Sequence, residues 1–262
     1  MIRNLRFWAQ ALVALGFVTL SQAAAAGGNG GGSVKDSPTE PVERGNYYSG
    51  YDIVKDSRYW YDGITVALNG DMGRDGFFVR AYGARGDFDR NPGDGRQWQA
   101  DFGLGYMFTR RQIGYEIYVA ADYENVRLSP DDPTAQVNGT EWGFKVGASI
   151  ETDNDLPYYF SLDGNYSTAF NTYWTRARVG LHRGRFTFGP EFIALGDQDF
   201  DAQRVGGFVR FDVKLPSFRP VEVTLSAGHQ FVAGSNSNDG DNSGGIGGGE
   251  GTYGLVNFSV SF

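Results

Sequence analysis

Cysteine is absent from the 262 residues, and the chain holds only two histidines and three methionines. Without cysteine there is no disulfide staple, no thiolate metal site and no thiol to carry a lipid anchor, so packing and hydrogen bonds must hold the fold. Two histidines, His182 and His229, leave few candidates for imidazole acid–base chemistry. Beyond the N-terminus no apolar run approaches the roughly 20 residues that a membrane helix needs. Any crossing of a membrane must be made by strands. Basic charge is also scarce, with a formal net charge of −8 that grows more negative once Arg3 and Arg6 are removed, which argues against nucleic acid as a partner.

What is abundant is glycine (39), phenylalanine (20), tyrosine (15) and tryptophan (5), the composition of barrels that alternate small and aromatic residues. Residues 1–26 have the form of a secretory signal peptide: Arg3 and Arg6, an apolar stretch from Phe7 to Leu20, then Ser21-Gln22 and an alanine run. Residues 27–45 are glycine-rich, then carry Pro38, Pro41 and mixed charge without apolar periodicity, and are expected to be a flexible periplasmic linker.

From residue 46 to 262 the dominant signal is a period of two. Twelve segments carry it: 46–54, 58–68, 76–88, 97–108, 112–126, 139–151, 157–167, 171–182, 185–195, 202–215, 220–233 and 252–262. In the fourth, Trp98, Ala100, Phe102, Leu104, Tyr106 and Phe108 share one face, and Gln97, Gln99 and Asp101 with two glycines share the other. The fold class predicted is all-β, an antiparallel up-and-down transmembrane β-barrel of twelve strands in the outer membrane of a Gram-negative bacterium. Connections alternate between short turns and longer polar loops, as such barrels require, which puts both termini in the periplasm. In that register outward Trp60, Trp98, Tyr123, Trp142, Tyr166, Tyr173 and Phe231 fall near one rim. Phe77, Tyr106, Phe108, Tyr115, Tyr158, Phe186 and Phe262 fall near the other, as two interfacial girdles would. The partners this implies are outer-membrane lipid and lipopolysaccharide. The chain ends on Phe262 after the alternation Val256, Phe258, Val260, which marks a terminal assembly signal for the barrel-insertion machinery. Pro190 cannot donate to a ladder, and a bulge is expected there.

The stretch from Tyr59 to Gly86 has an aromatic-rich strand ending in Gly63, a turn with Asn69-Gly70-Asp71 and Asp75-Gly76-Phe77, and an inward Arg80. It resembles the alphaproteobacterial cellulose biosynthesis family BcsS. The resemblance implies an outer-membrane barrel that works with cellulose-synthesis components or with a polysaccharide, as docking component or narrow conduit; it brings no catalytic residues. A general solute channel and, more remotely, a lipid- or glycan-modifying barrel enzyme are the alternatives.

Inward positions place charges of both signs inside the barrel, among them Arg80, Asp101, Glu116, Lys145, Asp163, Arg176, Arg178, Glu191, Arg210 and Asp212. Pairing would lower the cost of burying them. Arg178 is expected to bridge Asp163 and Glu191, with Arg176 one step nearer the outside. Tyr82, Tyr118, Tyr159 and Trp174 are inward aromatics that would either fill the lumen over inward glycines such as Gly105 and Gly147 or stack on sugar rings. No cofactor, metal or catalytic set is expected: His182 lies at a turn, His229 faces lipid, and the 238–242 loop lacks calcium-loop spacing.

Overall fold

The computed structural model describes residues 42–90, 93–153, 156–213, 220–233 and 248–262. Residues 1–41, which hold the signal segment and all but the last four residues of the expected linker, the 238–242 loop and the turn before Pro220 lie outside the described residues, and Gly45, expected in the linker, is the first residue of β1. Twelve strands run in chain order: β1 Gly45–Val54, β2 Ser57–Ala67, β3 Gly76–Asp89, β4 Asp94–Arg110, β5 Ile113–Ser129, β6 Gly139–Thr152, β7 Tyr158–Ser167, β8 Tyr173–Arg183, β9 Phe186–Gly196, β10 Asp201–Val213, β11 Val221–Val232 and β12 Gly251–Ser261. Each pairs antiparallel with its sequence neighbours, and β1 pairs with β12 to close the barrel. All twelve expected segments are strands, with ends displaced by at most three residues.

The alternation seen in sequence becomes an inside-out burial pattern. On the outer surface Phe102 is 65 % exposed and Phe144 75 %, whereas Asp122 and Glu124, pointing inward, are 0 % exposed. An apolar band outside and a polar interior is the arrangement of an outer-membrane-type barrel. Rings on the outer face pair across strands at both ends of that band: Tyr123 with Trp142 at 4.9 Å, Phe77 with Tyr106 at 5.0 Å and Phe108 stacked on Tyr115 at 4.9 Å.

Pro190 does not make the expected bulge. The register between β8 and β9 is the same on both sides of it, from Arg178↔Glu191 to Leu181↔Phe188. An inserted residue would have shifted it. The ladder instead omits the Val179 and Gly180 pairings, which accommodates a residue with no N–H, while Pro190 stays in register with Gly207 of β10.

Both ends of the barrel are narrowed by apolar residues. At the end carrying the barrel's termini, the β2–β3 connection folds back so that Met72 packs with Ala67, Phe78 and Met107, and the Met72 N–H donates to the Glu43 carbonyl. At the long-loop end a 3₁₀ turn, Ala169–Asn171, carries Phe170 into a cluster with Phe88, Val126 and Val137. Three long loops are tied together there. Asp199 accepts the backbone N–H groups of Gln136 and Val137, both at 2.9 Å, and the Gln198 N–H donates to the Phe170 carbonyl. Burial pushes the neighbouring Asp197 carboxyl up to about 7, against backbone N–H bonds from Asp199 and Phe200 that pull it down. Asp132 goes the other way, to about 2, because the Thr134 hydroxyl and Arg90 hold its ionised form.

Candidate functional site, the barrel lumen

Between the two constrictions runs a cavity of about 330 Å³ whose lining extends from Ser57, Gln97 and Phe200 near the long loops to Phe78, Glu222 and Ser259 near the other end. Its walls are the inward faces of nearly every strand, because each second residue of a barrel strand must point inward. The volume is that of a small-molecule site.

Among the described residues six cationic side chains line this cavity, and every one of them meets a carboxylate. Lys145 Nζ stands 3.1 Å from Asp101 and 2.8 Å from Asp122, and Arg80 approaches Asp101 at 3.6 Å while its guanidinium lies 3.8 Å above the Tyr118 ring. Arg176 pairs with Asp163 at 3.0 Å, and Arg178 with Glu191 at 2.5 Å. Arg204 reaches Asp52 at 2.5 Å, and Arg210 reaches Glu151 at 2.6 Å and Glu222 at 3.5 Å. Neutral groups complete several of these pairs. Ser226 and Tyr253 hydroxyls donate to Glu191, Gln230 accepts from Arg204, and the Ser167 hydroxyl donates to Asp122.

The bridge expected of Arg178 is not made. Asp163 stands opposite Arg176 in the register and Arg178 opposite Glu191, so the four residues form two separate pairs. Counting residues along single strands located the cluster, but the pairing depends on the 3₁₀ turn between β7 and β8, whose Phe170 and Asn171 both have positive φ. Asp212 is not part of the mid-height network: it is exposed near the terminus-bearing end, across from Glu222. Glu116 is buried in the cavity wall, yet its Oε1 accepts no hydrogen bond. Asp52, Glu151, Ser226 and Gln230 were not singled out in sequence, although the inward parity of Tyr48 and Lys145 extends to Asp52 and Glu151.

The inward aromatics divide into two groups. Some fill space over glycine: a Cβ on Gly63 would sit 2.0 Å from the Tyr48 ring, and one on Gly147 would sit 2.2 Å from that of Tyr118. Tyr159 is buried beneath Arg210. Tyr59, Tyr61 and Tyr82 form a tilted cluster along the cavity wall, with centroids 6.2 and 6.1 Å apart, and the Tyr61 ring also covers Gly50. Tyr59 donates to Gln99 and shares a hydroxyl contact with Tyr82, and Tyr61 bonds Asn257. Trp174 lies under Arg176 at the same cavity.

Neither histidine joins this set. His182 shares a hydrogen bond with the Thr187 hydroxyl near the terminus-bearing end, and His229 packs on Phe231, 3.9 Å from Glu250. Among the described residues no group of three or more His, Cys, Asp or Glu side chains comes together as a metal site. Phe262 ends the chain at the seam, its N–H donating to the Gly45 carbonyl and its own carbonyl accepting from Arg44 and Gly45.

Among solved structures the chain is similar to the KdgM porin, with 9 % identity and a TM-score of 0.44 over 83 % of this chain and 99 % of that one. It is also similar to LpxR from Salmonella typhimurium, with 10 % identity and a TM-score of 0.43 over 83 % of this chain and 100 % of that one. CdiB from Escherichia coli aligns with 11 % identity and a TM-score of 0.42, over 85 % of this chain and 63 % of that one. Comparison with curated protein sequences gave no match. The sequence profile described as cellulose biosynthesis protein BcsS matches residues 46–262, the whole barrel from Asn46 of β1 to the terminal Phe262. This chain, with its twelve strands around a lumen of paired charges and tyrosines, therefore belongs to the BcsS family of cellulose biosynthesis proteins.

Proposed function

We propose that this protein is a non-catalytic outer-membrane barrel that serves cellulose production as a narrow, gated passage or docking point for polysaccharide, with its long loops outside the cell and both ends of the barrel domain in the periplasm. The observation that carries this reading is the cavity running most of the barrel's height behind two apolar constrictions. A filled structural lumen would leave no such space, and apolar clusters at both ends narrow it relative to an open solute pore. Family membership supports the cellulose context, and the low count and placement of histidines support the absence of acid–base catalysis. In this reading Phe262, sealing the seam against Gly45, is also the feature the insertion machinery engages.

Deletion of the gene, followed by measurement of cellulose at the cell surface, tests the proposal. Output should fall and be restored by the full chain but not by a chain truncated before Phe262. Unchanged output would remove the cellulose role. Large, steady conductance of the purified barrel in a planar bilayer would instead identify a general solute channel.

A further inference from the structure

We infer that the outward face of β2 to β5, at the long-loop end, binds a phosphate group of lipopolysaccharide through Arg58, Arg85, Arg96 and Arg127. This rests on the orientation proposed above, which sets that end of the barrel in the outer leaflet.

The strand register brings the four arginines together. Arg58 stands opposite Asp87, Asp87 opposite Arg96 and Arg96 opposite Arg127, a row that crosses four adjacent strands. Arg85 lies one step nearer the middle of the barrel, between Trp60 and Trp98, with its guanidinium 5.2 Å from the Trp98 ring. All four are exposed. Asp87 is the one carboxylate in the row, shared by Arg85 at 3.4 Å and Arg96 at 2.9 Å, and among the described residues Arg58 and Arg127 make no ion pair. Like charges directly opposite each other on neighbouring strands repel, and Arg96 and Arg127 are such a pair. An anion seated between them removes that repulsion.

The height of the row selects a lipid headgroup. Trp60 and Trp98 are exposed rings of the kind that settles at a membrane interface, and Phe102 and Leu104, further in, face hydrocarbon. Guanidinium groups beside and just beyond those tryptophans therefore lie at headgroup depth. On the membrane side the outward carboxylate Asp62 is already held by the Tyr47 hydroxyl. One step further out the row turns acidic, Asp89 opposite Asp94, so the positive charge is confined to one depth. It is also confined to one side. Among the described residues, outward positions at the same end of β6 to β12 include Trp142, Tyr166, Tyr173, Gln203 and Phe231 but no lysine or arginine. Arginine forks match phosphate oxygens in bidentate fashion, which suits a single bound headgroup better than diffuse attraction to a charged surface.

The test uses the purified barrel in detergent micelles and native mass spectrometry to count bound lipid. The probes are deep-rough lipopolysaccharide, the same lipid stripped of its phosphates, and phosphatidylglycerol. Lipopolysaccharide should bind saturably and at least about tenfold more tightly than either of the others, and the double variant Arg96→Gln with Arg127→Gln should lose about tenfold of that affinity. Arg183→Gln, an exposed arginine at the opposite end of β8, should bind as the wild type does. Heat-modifiable migration reports whether each variant is folded. If the double variant does not fold, Arg127→Gln, which breaks no ion pair, decides alone. Equal binding of the dephosphorylated lipid, tighter binding of phosphatidylglycerol, or unchanged affinity in the folded variants would overturn the site. Orientation is read separately. The chain has no cysteine, so a Pro133→Cys protein in the long β5–β6 loop should be labelled on intact cells by an impermeant maleimide. An unlabelled loop would remove the orientation and the lipopolysaccharide site with it, whereas a labelled loop without phosphate-dependent binding would remove the site alone.

Discussion

The two sides of the lumen differ in how completely their polar groups are used. On the side formed by β8 to β11, Arg176, Arg178, Arg204 and Arg210 are saturated by carboxylates, with Ser226, Gln230 and Tyr159 adding hydrogen bonds. On the side formed by β2 to β6, tyrosine faces border the cavity, and Gln97, Glu116 and Ser149 keep unfilled hydrogen-bonding capacity. A saturated wall holds the barrel in shape. An unsaturated wall contributes less stability than a saturated one.

Substitutions should therefore act in opposite ways on the two walls. Arg178→Ala strands the fully buried Glu191 and should destabilise the barrel by about 3–5 kcal/mol, seen as a lower temperature for the shift between folded and unfolded migration in detergent. A transition equal to wild type would mean that water already screens the pair and that the walls do not differ. On the other wall, Glu116→Leu should change stability by less than about 1 kcal/mol, since no internal bond to Oε1 is broken. Should it melt as low as Arg178→Ala, Glu116 is structural and the contrast fails.

The lid above both walls gives smaller effects. Asp199→Ala removes the acceptor for the Gln136 and Val137 N–H groups, and their amide exchange should quicken about tenfold while the strands stay protected. Asp197 gives a pH dependence of determined sign. Its carboxyl is raised from 3.8 to about 7 in the folded loop, so the folded state favours the protonated form. That contribution to lid stability is complete below about pH 4 and is lost as the pH rises through 7. Exchange at residues 197–200 should quicken across that window in the wild type and remain flat in Asp197→Asn.

The strands were legible because their alternation is local: Phe102, Leu104 and Tyr106 against Asp101 and Gly103 need no knowledge of the neighbours. Family resemblance was legible in the Tyr59–Gly86 stretch, which lies within the matched range. Partner choice inside the lumen was less so. Whether Asp163 meets Arg176 or Arg178 depends on how many residues the connection at 168–172 absorbs, and that turn has left-handed backbone at Phe170 and Asn171. The caps were missed for a related reason. Phe170, Val137 and Met72 belong to aperiodic connections, where no repeat announces that a side chain turns inward.

The seam between β1 and β12 carries a kinetic consequence. Asn46 and Ser259 are hydrogen-bonded across it although 213 residues separate them, and Phe262 completes the pairing at Gly45. No chain lacking β12 can form this contact, so β1 has no partner on that edge until β12 has been made. Closure must come late and pass a large loop-closure entropy, which slows folding of such non-local pairings. Until then β1 and β12 are both open edges, able to pair with another strand. A chaperoning surface that occupies those edges would therefore govern the yield of barrels more than the stability of the finished one.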